Sequence, residues 1–147
     1  MSNCFLLDAN VLVAAAWPTH QAHTKVQRWL SRHAAEGWAT CPLTESAFVR
    51  ILSNPAFSPD ALTPADALAL LRTNLSHPSH RFWEADLSIE RAVAPFTGHL
   101  VGHRQVTDAY LLGLVLHKKG ILVTLDRSIS SLLREKSLGR GYIIVIT

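Results

Sequence analysis

Four carboxylates stand inside apolar runs of this chain: Asp8 in FLLDANVLVAAA, Glu45 in CPLTESAFVRIL, Asp108 in VTDAYLLGLVL and Asp126 in ILVTLDRSI. The chain has only eleven Asp and Glu residues, so more than a third of its acid lies where burial is expected. A carboxylate taken out of water costs several kcal/mol unless a counter-charge, hydrogen bonds or a metal compensates. Converging carboxylates that hold a hard divalent cation are one common explanation for all four. A divalent cation so held activates a bound water and relieves developing negative charge, which is hydrolytic chemistry.

The elements that must position these acids read as an alternation of strands and helices. CFLL (4–7) is a short buried strand, and ANVLVAAAW starts a helical segment that Pro18 stops. A helix is expected from Thr19 to Ala35, with Val26, Trp29, Leu30 and Ala34 at helical spacing and Gly37 as its stop. Residues 38–41 form a second strand. Pro42 and Thr44 introduce a helix carrying Glu45, Phe48, Val49, Ile51 and Leu52, broken at Asn54-Pro55. Thr63-Pro64-Ala65-Asp66 opens a helix to about Leu75 with an N-cap, a proline at the first helical position and an acid in the first turn. A third strand over 81–84, a helix over 87–94, a loop over 98–102 and an apolar helix over 104–117 bearing Asp108 follow. ILVTL is the fourth strand and YIIVI the fifth. This alternation predicts an α/β fold whose mainly parallel sheet is covered on both faces. Asp8 and Asp126 then fall just after strands, where an open α/β sheet presents its ligand crevice, and Glu45 and Asp108 near helix starts.

At 147 residues the chain has room for one domain, 1–147, with a substantial core. Hydrophobic content of 48% with 17% charged residues argues against disorder. No apolar run approaches the roughly 18 residues that span a bilayer. The start of the chain lacks the basic residues of a signal sequence, and Asp8 interrupts its apolar stretch, so a cytoplasmic protein without a membrane segment is expected. Cys4 and Cys41 are too few for a disulfide framework and read as buried thiols in a reducing compartment. A net charge of +3 and a pI near 9.2 favour an anionic partner without establishing one.

LLDANVLVA, the Thr44-Glu45 helix, VTDAYLLGL and VTLDRSI, in this order, resemble PIN-domain ribonucleases, and in particular the VapC-type toxins of bacterial toxin–antitoxin modules. The resemblance spans essentially the whole chain, and NPAFSPDALTPADAL is similar to mycobacterial or actinobacterial members. It implies a PIN-like three-layer sandwich with four to five strands and a metal-dependent endoribonuclease that uses Mg²⁺ or Mn²⁺. Carried over by motif, Asp8, Glu45, Asp108 and Asp126 correspond to the family's acidic quartet, with Asp8 and Asp108 first as direct ligands and the other two acting in part through water. Asn10, Thr107 and Thr124 match polar positions beside the acids. Ser128 departs from the pattern, since relatives often carry a further Asp or Asn there, and this bears on the occupancy of a second ion. The same resemblance implies a VapB-like antitoxin as partner, homodimers and larger complexes with it, and a tRNA or rRNA loop as substrate.

Bland readings stand beside these. Glu45 and Asp108 each follow a Thr and could serve helix N-termini, Asp126 could be a turn acid in LDRS, and Asp8 an Asx-turn residue. His20/His23, His77/His80 and His99/His103 have zinc-like spacing, but they lie in turns beside prolines or glycines and away from the acidic motifs, so exposed or capping histidines are expected. Arg50, Arg104 and Arg127 are the basic residues near the cleft, Arg104 four positions before Asp108 on one helical face. The four tryptophans default to core packing. A haloacid-dehalogenase-like phosphatase would need a second Asp where this chain has Asn10. A catalytically silent PIN-like module that binds RNA or protein remains the alternative, and the intact quartet weighs against it.

Overall fold

The computed structural model describes residues 4–133 and 141–147. The chain opens with β1 (Phe5–Leu7), α1 (Ala9–Ala16), α2 (His23–His33), β2 (Trp38–Thr40) and α3 (Pro42–Leu52). It continues with α4 (Pro64–Leu75), β3 (His80–Phe82), α5 (Ile89–Val93), α6 (Val106–Lys118), β4 (Ile121–Thr124) and β5 (Ile143–Val145). All described strand pairs are parallel and the strand order is β3-β2-β1-β4-β5. The chain builds outward from β1 to β3 and then returns to the other side of β1 with β4, so the strand order reverses between β1 and β4. That reversal opens a crevice at the carboxyl ends of these two strands, because the helices leaving them diverge to opposite faces.

The core lies on both sides of the sheet. On one side Leu6, Ala39 and Leu122 pack with Ala92, Val93 and the buried face of α6. On the other, Phe5, Leu7, Trp38 and Val123 pack against residues of α1, α2, α3 and α4. This alternation along each strand gives three layers, and it is why β1 is an unbroken apolar run: each of its three residues is buried. Trp29 meets Phe5 edge-on at 5.0 Å and Trp17 meets Phe57 at 5.3 Å, so both serve the core.

Close approach fixes two glycines. A Cβ on Gly113 of α6 would stand 2.1 Å from the Ala92 carbonyl oxygen, so α5 and α6 touch backbone to backbone. A Cβ on Gly120 would meet the Trp83 ring at 2.4 Å and the Cys4 carbonyl at 2.8 Å. The left-handed residue that ends α6 is Lys119, at φ 58°, so Gly120 is required for space and not for its backbone freedom.

The strands and helices expected from the sequence are present, with shifted boundaries. The helix expected over 19–35 begins only at His23, because residues 17–22 form a turn: His20 N donates to the Trp17 carbonyl (2.9 Å) and the His20 imidazole accepts from Ala22 N (3.0 Å). It ends in a 3-10 turn, Ala34–Glu36, before Gly37 (φ 113°) redirects the chain into β2. The third strand starts one residue earlier than expected, at His80. The helix expected over 87–94 begins at Ile89, where the Ser88 hydroxyl accepts from Arg91 N, and continues as a 3-10 segment, Ala94–His99. The helix expected over 104–117 is split, since His103–Gln105 is a separate 3-10 turn in which the Gln105 amide oxygen accepts from Val101 N (2.6 Å). Arg104 thus lies in the 3-10 turn that precedes α6, and Asp108 in the first turn of α6. Cys41 is buried, Cys4 only half-buried, and both are free thiols. Among the described residues no helix is long and apolar enough to cross a membrane.

Candidate active site at the β1–β4 crevice

Asp8 follows β1 in extended conformation (φ −61°, ψ 154°) and caps α1. Its Oδ1 accepts from Ala9 N at 2.7 Å and its Oδ2 from the Thr124 hydroxyl at 2.8 Å. Thr124 ends β4 and is fully buried. A hydroxyl carries one hydrogen and two lone pairs, and Thr124 uses all three: it donates to Asp8 and accepts from Asn10 Nδ2 (3.1 Å) and Asp126 N (3.1 Å). Asn10 completes the clasp, its Oδ1 accepting from Leu125 N at 3.1 Å. Two residues past the strand, Asp126 Oδ1 accepts from Ser128 N at 2.9 Å, leaving the second oxygen of this exposed carboxylate free of that turn. Ser128 thus contributes its backbone to the site.

Asp108 enters from the first turn of α6, half-buried. Its carboxyl is pushed up to about 6, first by burial and then by the charges of Asp8 and Asp126. Asp8 is also raised, chiefly by burial; the Thr124 and Ala9 hydrogen bonds oppose the shift and the Asp126 charge adds to it. Mutual repulsion therefore ties Asp8, Asp108 and Asp126 into one electrostatic cluster. Glu45 lies one strand over, in the first turn of α3 after β2, and its Oε2 accepts from the Thr40 hydroxyl at 2.7 Å.

The other expected site residues are placed less centrally. Thr107 is exposed beside Asp108, and Arg104 and Arg127 are exposed; no described residue forms an ion pair with Asp108. Arg50 occupies the last turn of α3, away from the turn that carries Glu45. His20 and His77 accept backbone hydrogens in their own turns, as capping residues do. His80 departs from expectation. Its Nε2 lies 2.7 Å from the Thr40 hydroxyl, which places a histidine next to the Glu45 motif. Burial lowers its pKa, with the Glu45 charge pulling the other way.

Thr40 and His80 are the residues that reading the sequence missed. Thr40 carried a signal: like Thr124, it is the one polar residue closing an apolar strand that leads into an acid motif. His80 carried none, because only the β2–β3 register, Trp38 opposite His80, brings it there.

The donor set fits a hard divalent cation, since it is made of carboxylate oxygens whose repulsion a cation would relieve. Among the described residues no group of three or more His, Cys, Asp or Glu side chains forms a ready-made metal cage. An ion of the Mg²⁺ type needs no such cage, because it retains several waters and takes only one or two protein carboxylates directly.

The sheet is parallel with order 3-2-1-4-5 and acids gather at its switch point, an α/β fold with its crevice at the strand carboxyl ends; the PIN domain family model matches residues 5–133, so the chain belongs to the PIN domain family. It is 42% identical over 131 residues to Ribonuclease VapC38 of Mycobacterium tuberculosis, covering 89% of this chain and 91% of that one. It is 40% identical over 125 residues to Ribonuclease VapC39 of the same organism, covering 85% and 90%. Among solved structures, VapBC2 of Rickettsia felis bound to a promoter DNA fragment matches with a TM-score of 0.68 at 10% identity, over 98% of this chain and 99% of that one. DNA-bound VapBC of Salmonella typhimurium matches with a TM-score of 0.65 at 14% identity, over 99% of each chain. These two likenesses confirm the fold.

Proposed function

We propose that this chain is a metal-dependent endoribonuclease that cleaves RNA phosphodiester bonds as the toxin of a VapBC-like toxin–antitoxin pair, its residues 1–147 acting as one domain. The observation that carries the reading is the convergence of Asp8, Asp108 and Asp126 at the reversal point of the sheet, with Asp108 raised to about 6 first by burial and then by the charges of Asp8 and Asp126. Relatives called ribonucleases at about 40% identity support it.

Asp8 and Asp108 are the expected direct ligands of Mg²⁺ or Mn²⁺, and Asp126 and Glu45 act through water. When bound, the cation supplies charge relief at the phosphate and the leaving oxygen and makes a water acidic. Thr124 holds Asp8 in its ligating orientation, and Asn10 holds Thr124. Asp126 takes a proton from the attacking water, a role supported by its exposure and by the Ser128 amide that holds its other oxygen. Hydrolysis then adds the water oxygen to phosphorus and releases the leaving oxygen with a proton. The exposed Arg104 and Arg127 are available to the RNA backbone. The partner is a VapB-like antitoxin, the assembly a homodimer that enlarges on binding it, the substrate a tRNA or rRNA loop, and the compartment the cytoplasm.

The test is cleavage of tRNA and rRNA by purified protein in Mg²⁺ or Mn²⁺ against EDTA, comparing wild type with Asp8→Asn and Asp108→Asn. Each variant is expected to lose at least about 100-fold in rate, the scale on which removed charge stabilisation is felt. Undiminished cleavage by both would overturn the mechanism. RNA binding without any cleavage by wild type would favour a silent binding module.

A further inference from the structure

Two buried threonines close the strands on either side of β1. Thr124 ends β4 and Thr40 ends β2, and neither is exposed. Each faces an acid: Thr124 donates to Asp8 at 2.8 Å, and Thr40 to Glu45 at 2.7 Å. Behind Thr124 a nitrogen donor, Asn10 Nδ2, sets the direction of the hydroxyl hydrogen. Behind Thr40 the corresponding atom is His80 Nε2, at 2.7 Å.

Proton counting decides which way the second chain runs. The Thr40 hydroxyl has one hydrogen and cannot donate to both neighbours. An ionised carboxylate only accepts, so the hydrogen goes to Glu45 and His80 must supply its own on Nε2. The opposite tautomer would draw the Thr40 hydrogen to Nε2 and leave two oxygens facing each other at 2.7 Å unless Glu45 were protonated. The imidazole is held for this role. It packs on Trp38 at 4.8 Å between ring centroids. The register that pairs Trp38 with His80 puts the ring on the Thr40 face of the sheet, since residues two apart on a strand share a face.

We infer that His80 is a positioning residue of the nuclease centre, whose Nε2–H donates to Thr40 and thereby aims the Thr40 hydroxyl at Glu45, fixing that carboxylate toward the crevice. This rests on the proposed reading of Glu45 as part of the acidic centre. It gives the site two relays of one design, Asn10–Thr124–Asp8 from within and His80–Thr40–Glu45 from the sheet edge.

The experiment measures kcat and KM on one RNA oligonucleotide in Mn²⁺ for wild type, Glu45→Gln, Thr40→Val, Thr40→Ser, His80→Ala, His80→Gln and the Thr40→Val/His80→Ala pair, with unfolding midpoints alongside. Thr40→Val and His80→Ala are expected to lower kcat about tenfold with KM within about twofold, the size of one lost hydrogen bond made to a charged group. Thr40→Ser and His80→Gln, which keep a hydroxyl and a nitrogen donor, should stay within about threefold of wild type. The pair should be no worse than Thr40→Val alone, because both lesions cut one relay. Full activity in Thr40→Val and His80→Ala, or additive losses in the pair, overturns the inference while leaving the nuclease reading intact. An unimpaired Glu45→Gln beside an impaired Asp8→Asn removes Glu45 from the centre, and the inference with it. Long-range proton–nitrogen NMR of His80 decides independently of activity, even if wild type cleaves nothing. A protonated Nε2 is expected in wild type, and an unprotonated Nε2 overturns the relay.

Discussion

Thr124 has every hydrogen-bonding capacity of its hydroxyl in use, in a place without solvent. Replacing it by the nearly isosteric Val strands Asn10 Nδ2 and Asp126 N and leaves the buried Asp8 oxygen with one donor fewer. Thr124→Val is therefore expected to lower the unfolding free energy by about 1–3 kcal/mol in denaturant titration, the cost of unsatisfied buried polar groups. Asp108 is expected to act in the opposite sense. Its native pKa of about 6 stands above that of an unfolded carboxyl, so it holds its proton more tightly in the folded state. The stability it contributes is present below the ordinary carboxylate pKa and is lost as pH rises toward about 6. Without divalent cation, Asp108→Asn should melt above wild type at about pH 7.5, with the gap closing toward about pH 4. A wild-type midpoint that stays above the variant's across the range would show that folding does not raise the Asp108 pKa. At this scale the sequence was readable at Asp8, Glu45 and Asp108, buried or half-buried acids that interrupt apolar runs. Asp126 departs from the expected burial, because its turn beyond β4 leaves the carboxylate exposed. The sequence was silent on His80, whose neighbours come from another strand.

The elements were legible in type, and their ends were not. Apolar periodicity sets where a helix can exist, but its first residue is chosen by a side chain that competes for backbone hydrogens: His20 for Ala22 N, Ser88 for Arg91 N, Gln105 for Val101 N. The split before α6 puts Arg104 in a 3-10 turn and Asp108 in the helix proper, a division that apolar periodicity does not mark. Glycine placement was likewise opaque. Gly113 sits inside α6 where alanine would favour the helix intrinsically, yet an added methyl would lie 2.1 Å from the Ala92 oxygen. Gly113→Ala should thus destabilise the protein by about 1–3 kcal/mol through overpacking against α5, read as a lowered thermal midpoint. A raised midpoint would mean that α5 can give way.

On the scale of the whole molecule, the parallel sheet and its two covered faces followed from the strand–helix alternation, whereas the strand order could not be read from one chain. That order is what brings the Asp8, Asp108 and Asp126 motifs to one crevice, with Glu45 one strand over. Since the crevice is anionic and strained by like charge, Mn²⁺ added in excess should raise the thermal midpoint of wild type at neutral pH and do so far less for Asp8→Asn/Asp108→Asn. Equal shifts in both proteins would place the ion elsewhere. The chain built outward from a central β1 also has a kinetic side. The Asp8–Thr124 hydrogen bond joins residues 116 positions apart, across the β1–β4 seam. Helices can form early from local contacts, but this seam waits for long-range closure, which is slow in parallel sheets. In refolding from denaturant, helical circular dichroism should therefore return before RNA cleavage does, and a newly made chain would stay catalytically inert until its last large loop has closed.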